Sequence, residues 1–512
     1  SLGQIQFFLV KFKHMVNTSL ILSITPFAVF LALLLWKKMP LLQTSVITLF
    51  VTAFLAYSYW KIFPNFLTAS FIKGSLVALD IFIIILGAVF FLEVIKGLKI
   101  IESISYHLET FSKDLRVQVI MLAWLFEAFL EGTAGFGVPA AIIAPLLIGL
   151  GIKPIKAIIL GLLGNGSPGI FGAAGTPIRV GFEGLNVSGV AETAIWINLA
   201  GLIVPIAMLW ILTSGRQNRI QRFFEAVPFA IWSGLVFLVP SIFILPIGQE
   251  FPSIIGPAIG IVLVLITSKF GIFIPKHIMR ASEEPKQKTG LSFVKSIIPY
   301  AILIIFLISG KFLLSGISLP IKFGEVSRSF NLFNPGFAFI LTAVLIGIFW
   351  KSKKSPILKS FAFALKRSLP PFVVIACMSA FVQIMILAGH NQTGYQSPIL
   401  LIAKIFETNL LPFWAPFVGA FGGFLTGSVT ISNIMFGNFL GTASFALGIS
   451  SAKILALALV GGAAGNMIGL ADILSAESVV GLKNKEHEVL KGVIITCITY
   501  VVLTGIVGMI IV

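Results

Sequence analysis

Ten apolar runs, each about as long as a bilayer's hydrocarbon core is thick, decide what this chain can become. They cover residues 18–36, 41–60, 74–97, 190–213, 226–246, 251–268, 294–315, 334–350, 369–389 and 490–512. At a rise of ~1.5 Å per residue, about 20 residues of helix cross ~30 Å of hydrocarbon. Lipid offers no partner to a backbone N–H or C=O, so each run is predicted to be a helix. Of the 512 residues, 57% are hydrophobic and 11% charged, against roughly 25% charged in soluble domains. That balance excludes a soluble enzyme, a disordered chain and a disulfide-rich secreted module. The predicted fold class is an all-α polytopic membrane protein.

The charges that remain give sidedness. Lys and Arg number 36 against 19 Asp and Glu, a net +17. Arg216, Arg219 and Arg222 follow one span. Lys269, Lys276, Arg280, Lys286, Lys288 and Lys295 lie two spans later, and Lys351, Lys353, Lys354, Lys359, Lys366 and Arg367 two spans after those. The three clusters fall on one face, taken as cytoplasmic because positive loops stay inside. The loops between, 247–250 and 316–330, are poorer in positive charge. The basic residues alternate with apolar runs and form no aromatic-basic stretch, so nucleic acid is excluded as a partner. Cys377 and Cys497 both sit in apolar segments and make no disulfide framework. Residues 1–16 carry Lys11, Lys13 and His14 and no cleavable signal pattern.

Two segments are too short to span and are interrupted by small polar residues. Residues 117–131 and 138–150 flank Gly132-Thr133-Ala134-Gly135-Phe136-Gly137, with Arg116 before the pair and Lys153 after it. A re-entrant hairpin with its tip inside the membrane accounts for both. Residues 411–425 and 434–447 repeat the arrangement around Thr426-Gly427-Ser428-Val429-Thr430-Ile431-Ser432-Asn433. Phe129-Leu130-Glu131-Gly132-Thr133 aligns with Phe424-Leu425-Thr426-Gly427-Ser428, and Leu150-Gly151-Ile152 with Leu447-Gly448-Ile449. Each copy then enters a longer apolar stretch cut by glycines, at Gly164–Gly169 and at Gly461–Asn466.

The order and near-equal spacing of these matches point to duplication. Counting sides opens the first hairpin to the cytoplasm and the second outward, an inverted-topology repeat of the kind found in secondary transporters. The expected organisation is a first repeat over 1–225, with hairpin 117–151 and broken helix 153–183. A two-helix connector and cytoplasmic loop follow over 226–293. The second repeat covers 294–512, with hairpin 409–448 and broken helix 451–482. The total is about 12 transmembrane helices plus two hairpins.

Interrupted helices at membrane depth expose N–H and C=O groups, and irregular backbone is tolerated there only against protein or a water-filled cavity. Helix N-termini favour anions through free N–H groups and the dipole. Four interruptions meeting near the midplane would form a small-anion site. Thr133, Asn165, Ser167, Ser428, Thr430, Ser432, Asn433 and Asn466 would supply neutral hydrogen bonds there, and Gly135, Gly137 and Gly427 would let a ligand approach the backbone. The competing reading is helix packing, for which small residues are also used in membranes. The Gly164–Gly175 stretch is no nucleotide loop, because it lacks a phosphate-binding lysine and a preceding soluble strand.

Carboxylates within apolar segments are costly and point to function. The candidates are Asp80, Glu93, Glu127, Glu131, Asp472 and Glu477. Glu127 and Glu131 share a helix face at four-residue spacing. Glu131, beside the first tip, is the preferred proton carrier, followed by Glu127, with Asp472 and Asp80 as further proton-coupling candidates. Either glutamate could instead be a satisfied structural acid. Glu93 has Lys96 at i+3 and reads as a structural pair. Arg179 is a substrate-carboxylate ligand or an interfacial anchor.

FLEGTAGFGVPAAI (Phe129–Ile142), GNGSPGIFGAAGTPI (Gly164–Ile178), FPSIIG (Phe251–Gly256), FLTGSVTISNIMFG (Phe424–Gly437) and GGAAGNMIG (Gly461–Gly469) together resemble the L-lactate permease family. The resemblance runs over nearly the whole chain. It implies a bacterial cytoplasmic (inner) membrane symporter that moves lactate, glycolate or related 2-hydroxymonocarboxylates with protons. It also implies a scaffold beside a moving transport domain, with a homodimer as the assembly suggested by wider analogy. Two departures stand out. Val429 replaces an Asn usual in the family, which removes one tip hydrogen bond. Leu470, Ala471 and Asp472 stand where the family runs Pro-His-Asn, so either Asp472 compensates or the substrate differs.

The alternative reading is a sodium-coupled carboxylate carrier, with tip carbonyls and Ser432 or Asn433 holding the cation. An enzyme is not expected. His14, His107, His277, His390 and His487 lie in loops or at span ends, and no HExxH or clustered ligand set occurs. No cofactor and no metal are expected. A channel is disfavoured, since rings of charge and filter-like repeats are absent.

Overall fold

In the computed structural model the described residues are 18–135, 137–280, 291–323, 326–350 and 357–512. Phe136 of the first tip, and Lys11, Lys13, His14, Lys286, Lys288, Lys351, Lys353 and Lys354 of the charge reading, lie outside them.

Helices α1 (Thr18–Trp36), α2 (Leu41–Ser58) and α3 (Pro64–Gly97) come first, followed by the short α4 (Ile100–Phe111). The first hairpin is α5 (residues 115–133, with a π-helical stretch at Met121–Phe126) and α6 (Val138–Gly149). Helices α7 (Pro154–Gly164) and α8 (Pro168–Arg179) meet at a 53° bend, and α9 is Val190–Thr213. The connector is α10 (Arg219–Ile247) and α11 (Pro252–Lys269). Then come α12 (Phe293–Leu314), α13 (Pro335–Phe349), α14 (Ile357–Leu387) and the short α15 (Pro398–Ala403). The second hairpin is α16 (Leu411–Thr426) and α17 (Val429–Ala446), followed by α18 (Ser451–Asn466), α19 (Leu470–Val480) and α20 (Glu486–Ile511).

Among the described residues ten helices are long and apolar enough to cross a membrane, or eleven if α7 and α8 count as one. The protein is an all-α polytopic membrane protein. The candidate span 334–350 folds as α13, only 15 residues long, roughly 22 Å. The second long interrupted segment differs from the first. Its chain leaves helical form at Met467–Gly469, yet α18 and α19 run on as one apolar span. The loop 316–330 holds an unforeseen antiparallel hairpin, β1 (Ser318–Phe323) with β2 (Val326–Asn331), in register Ser318 to Asn331. Glu93 and Lys96 do pair, at 4.0 Å.

Contacts between elements recur in matching pairs across the two halves. Helix α3 packs on α13, and α2 on α14. Helix α6 packs on α7 and α17 on α18; α6 meets α19 and α17 meets α8; α7 meets α20 and α18 meets α9. Helices α3 and α14 form an extensive pair, and their backbones touch. A side chain on Gly74 would collide with the backbone of Ala376 and Ala380. Glycine brings α16 and α18 together likewise. Gly419 faces the Ala458 carbonyl, Gly423 that of Gly462, Gly461 that of Pro416, and Gly465 that of Ala420. This is the small-residue packing that membrane helices use to approach closely. For Gly461 and Gly465 the packing reading therefore holds.

Candidate functional site

Both tips turn on left-handed glycines. Helix α5 stops at Thr133, and the chain reverses through Gly135 (φ +58°) and Gly137 (φ +71°) into α6, which has Pro139 in its first turn. Helix α16 stops at Gly427 (φ +61°), and Ser428 caps α17 by accepting the Ile431 N–H at 3.3 Å. A side chain at such φ values is strained, so glycine is what permits reversals this tight. Helix α8 contains a second irregularity. Ala173, Ala174 and Gly175 are all left-handed, with φ of 43°, 53° and 75°. Two alanines in that region are unusual for L-residues and mark stored strain.

These interruptions converge. A narrow cleft is bounded by Gly135 of the first tip, Gly427, Ser428 and Thr430 of the second, Gly172 of α8 and Asn466 of α18, with Glu131 in its wall. The N-terminal turn of α17 lines it through Val429 and Thr430, so unsatisfied N–H groups and the dipole of that helix favour negative charge there.

The acids form a layer behind the cleft. Glu131 is 3% exposed, and a side chain on Gly172 would run into its Oε1. Its Oε2 has no hydrogen-bond partner among the described residues. Glu127, at 0% exposure, lies one helical turn deeper against Gly164, and neither of its carboxyl oxygens has a described partner. Asp472, at 3%, lies against Gly137 and Gly427, so one carboxylate touches both tips.

An amide relay joins Asp472 to the bend of the first broken helix. The Asn466 amide takes the orientation its neighbours dictate. Its nitrogen donates to Asp472 Oδ2 at 3.2 Å and to the Gly427 carbonyl at 3.0 Å, and its oxygen accepts from Asn165 Nδ2 at 2.8 Å.

Of the predicted binding residues, Gly135, Ser428, Thr430 and Asn466 line the cleft. Asn165 stands one hydrogen bond behind it. The others are not in its lining. Thr133 donates to the Leu130 carbonyl at 3.0 Å. Ser167 donates to Asn198 Oδ1 at 3.3 Å, and the Tyr500 hydroxyl donates to that same oxygen. Ser432 donates to the Gly419 carbonyl at 2.9 Å and ties the hairpin arms together. Asn433 donates to the Pro177 carbonyl at 2.9 Å. Asp80 accepts from Asn334 Nδ2 at 2.6 Å, at the contact of α3 with the start of α13. Sequence reasoning missed Gly169, Gly172, Ala173 and Pro177 in the cleft wall. Their signal was the density of small residues after Ser167, interrupted only by Ile170 and Phe171. No group of three or more His, Cys, Asp or Glu placed to hold a metal occurs among the described residues.

The family model described as L-lactate permease matches residues 19–314 and 322–512. A Haemophilus influenzae relative is 32% identical over 75% of this chain and 77% of its own. An L-lactate permease of Salmonella typhimurium is 28% identical over 95% of both chains. A glycolate permease of Escherichia coli is 26% identical over 80% of both.

Proposed function

Because this chain belongs to the L-lactate permease family, and is thus a multi-pass membrane transporter of a small anion rather than an enzyme, we propose that it imports L-lactate, glycolate or a related 2-hydroxymonocarboxylate by proton symport. The observation that carries this is the composition of the cleft. Among the described residues its lining holds helix-end N–H groups, hydroxyls and an amide, one carboxyl group, and no basic side chain. A substrate carboxylate beside an ionised Glu131 would meet repulsion of about 4 kcal/mol at 4 Å and an effective dielectric constant near 20. A proton on Glu131 removes that conflict, so anion and proton enter together. Glu127 and Asp472, both buried within reach of this layer, extend the set of acids that must be neutral.

The matched contact pairs of the two halves support an inverted repeat, and with it alternating access by one set of helices moving against the other. The bacterial inner membrane is the proposed location, and a homodimer the proposed assembly.

Uptake of labelled L-lactate into reconstituted vesicles tests the reading. An inward proton gradient should drive accumulation above equilibrium, and Glu131→Gln should leave only gradient-independent equilibration. Unchanged proton dependence in that variant removes Glu131 from the scheme. Loss of uptake when sodium is replaced by choline at fixed pH would establish sodium coupling instead.

A further inference from the structure

A second, narrow cavity lies beside the cleft. Its wall includes Gly181 and Glu183 after α8, Ser379 and Gln383 of α14, and Ile434 and Asn438 of α17. The two cavities follow each other along the same elements. On α17 the cleft takes Thr430 and the second cavity takes Ile434, one helical turn further. On the other wall the cleft ends at Pro177 and the second cavity begins at Val180. Between them stands the hydrogen bond from Asn433 Nδ2 to the Pro177 carbonyl.

Ser379 is the unexplained member. It is 5% exposed, and its hydroxyl has no partner among the described residues. Hydroxyls buried in membrane helices usually bond to the carbonyl one turn back. Ser368 of the same helix does so, donating to the Ala364 carbonyl at 2.7 Å. The Ser379 hydroxyl keeps its donor for the cavity. Gln383, 8% exposed, is four residues on and shares that helix face.

We propose that this cavity is an outer transit site for the hydroxycarboxylate, with Ser379 and Gln383 as its donors and the Asn433–Pro177 contact as the partition crossed next. The proposal rests on the transport reading and on its sidedness. Lys359, Lys366 and Arg367 place the start of α14 on the cytoplasmic side, so Ser379 and Gln383, toward the other end of α14, face outward.

The test uses right-side-out vesicles of full-length protein carrying Cys377→Ala and Cys497→Ala, with Ser379→Cys or Gln383→Cys added. The probe is an anionic, membrane-impermeant methanethiosulfonate. The expected result is modification of both cysteines from outside, slowed severalfold by L-lactate, with loss of uptake once modified. Modification unaffected by L-lactate, or confined to inside-out vesicles, overturns the transit site while uptake by the parent background keeps the transport reading intact. Absence of L-lactate and glycolate uptake in that background would remove both.

Discussion

The carboxylate of Asp472 occupies the space in which a side chain on Gly137 would begin. The same group lies against Gly427, so an acid from the second half of the chain touches the tips of both hairpins. Whatever displaces either tip must also displace Asp472, and with it the amide of Asn466 that donates to its Oδ2.

Gly137→Ala should therefore fail twice over. The left-handed backbone at φ +71° disfavours alanine by about 1–2 kcal/mol, and the new methyl collides with Asp472. Uptake should be lost and thermal stability in detergent lowered. Adding Asp472→Ala should recover part of the stability, because only the collision is relieved. Additive losses in the double variant would show that the two residues are not in contact.

Asn466→Ala removes the centre of the relay. Asn165 Nδ2 and the Gly427 carbonyl both lose their partner, and each buried unsatisfied group costs about 1–3 kcal/mol. Thermal unfolding should fall accordingly, and substrate uptake should fall further than stability does, because Asn466 also lines the cleft. A variant with parental KM and parental melting temperature would place Asn466 outside the site.

Much of this was legible in the sequence because an apolar chain has few ways to announce a polar centre. Gly, Ser, Thr and Asn interrupting runs that otherwise obey lipid located both tips and the bend between α7 and α8, but Gly461–Asn466, read as the second interruption, is helical, and the chain leaves helical form only at Met467–Gly469. Side-chain direction was not legible. Ser167 and Ser432 sit in the right stretches but point at Asn198 and Gly419, since a break in helical geometry destroys the periodicity from which a face is read. Nor could spacing separate glycines that serve a ligand from glycines that serve a neighbour. Gly135 and Gly427 line the cleft, whereas Gly461 and Gly465 bring two helix backbones together. The left-handed alanines at 173 and 174 had no signal, because alanine as a residue type avoids that region.

That division predicts a contrast between glycines. Gly461→Ala presses a methyl into the Pro416 carbonyl away from the cleft, an overpacking that typically costs 1–3 kcal/mol. Protein yield and melting temperature should drop, while KM for L-lactate in the surviving protein stays at the parental value. A changed KM with unchanged stability would assign Gly461 to the substrate path instead.

The base of the first hairpin is fixed by Arg116, a fully buried guanidinium whose partners come from three parts of the chain. Its Nε and Nη2 donate to the two oxygens of Asp114 at 3.0 and 2.6 Å. Its Nη1 donates to the Arg222 carbonyl at 2.6 Å and its Nη2 to the His277 carbonyl at 2.6 Å. Glu225 closes the set at 3.3 Å. Lysine offers a single nitrogen and cannot reproduce this fork, and removing one member of a buried ion pair typically costs 3–5 kcal/mol. Arg116→Lys should thus destabilise strongly, and Arg116→Met more so, because Asp114 then remains buried and without its cation. Arg116→Met with Asp114→Asn should be more stable than Arg116→Met alone, since the stranded charge is gone. Melting of the four detergent-solubilised proteins checks the order. If the double variant melts no higher than Arg116→Met, the cost lies in the lost carbonyl contacts of Arg116, not in the stranded buried charge of Asp114.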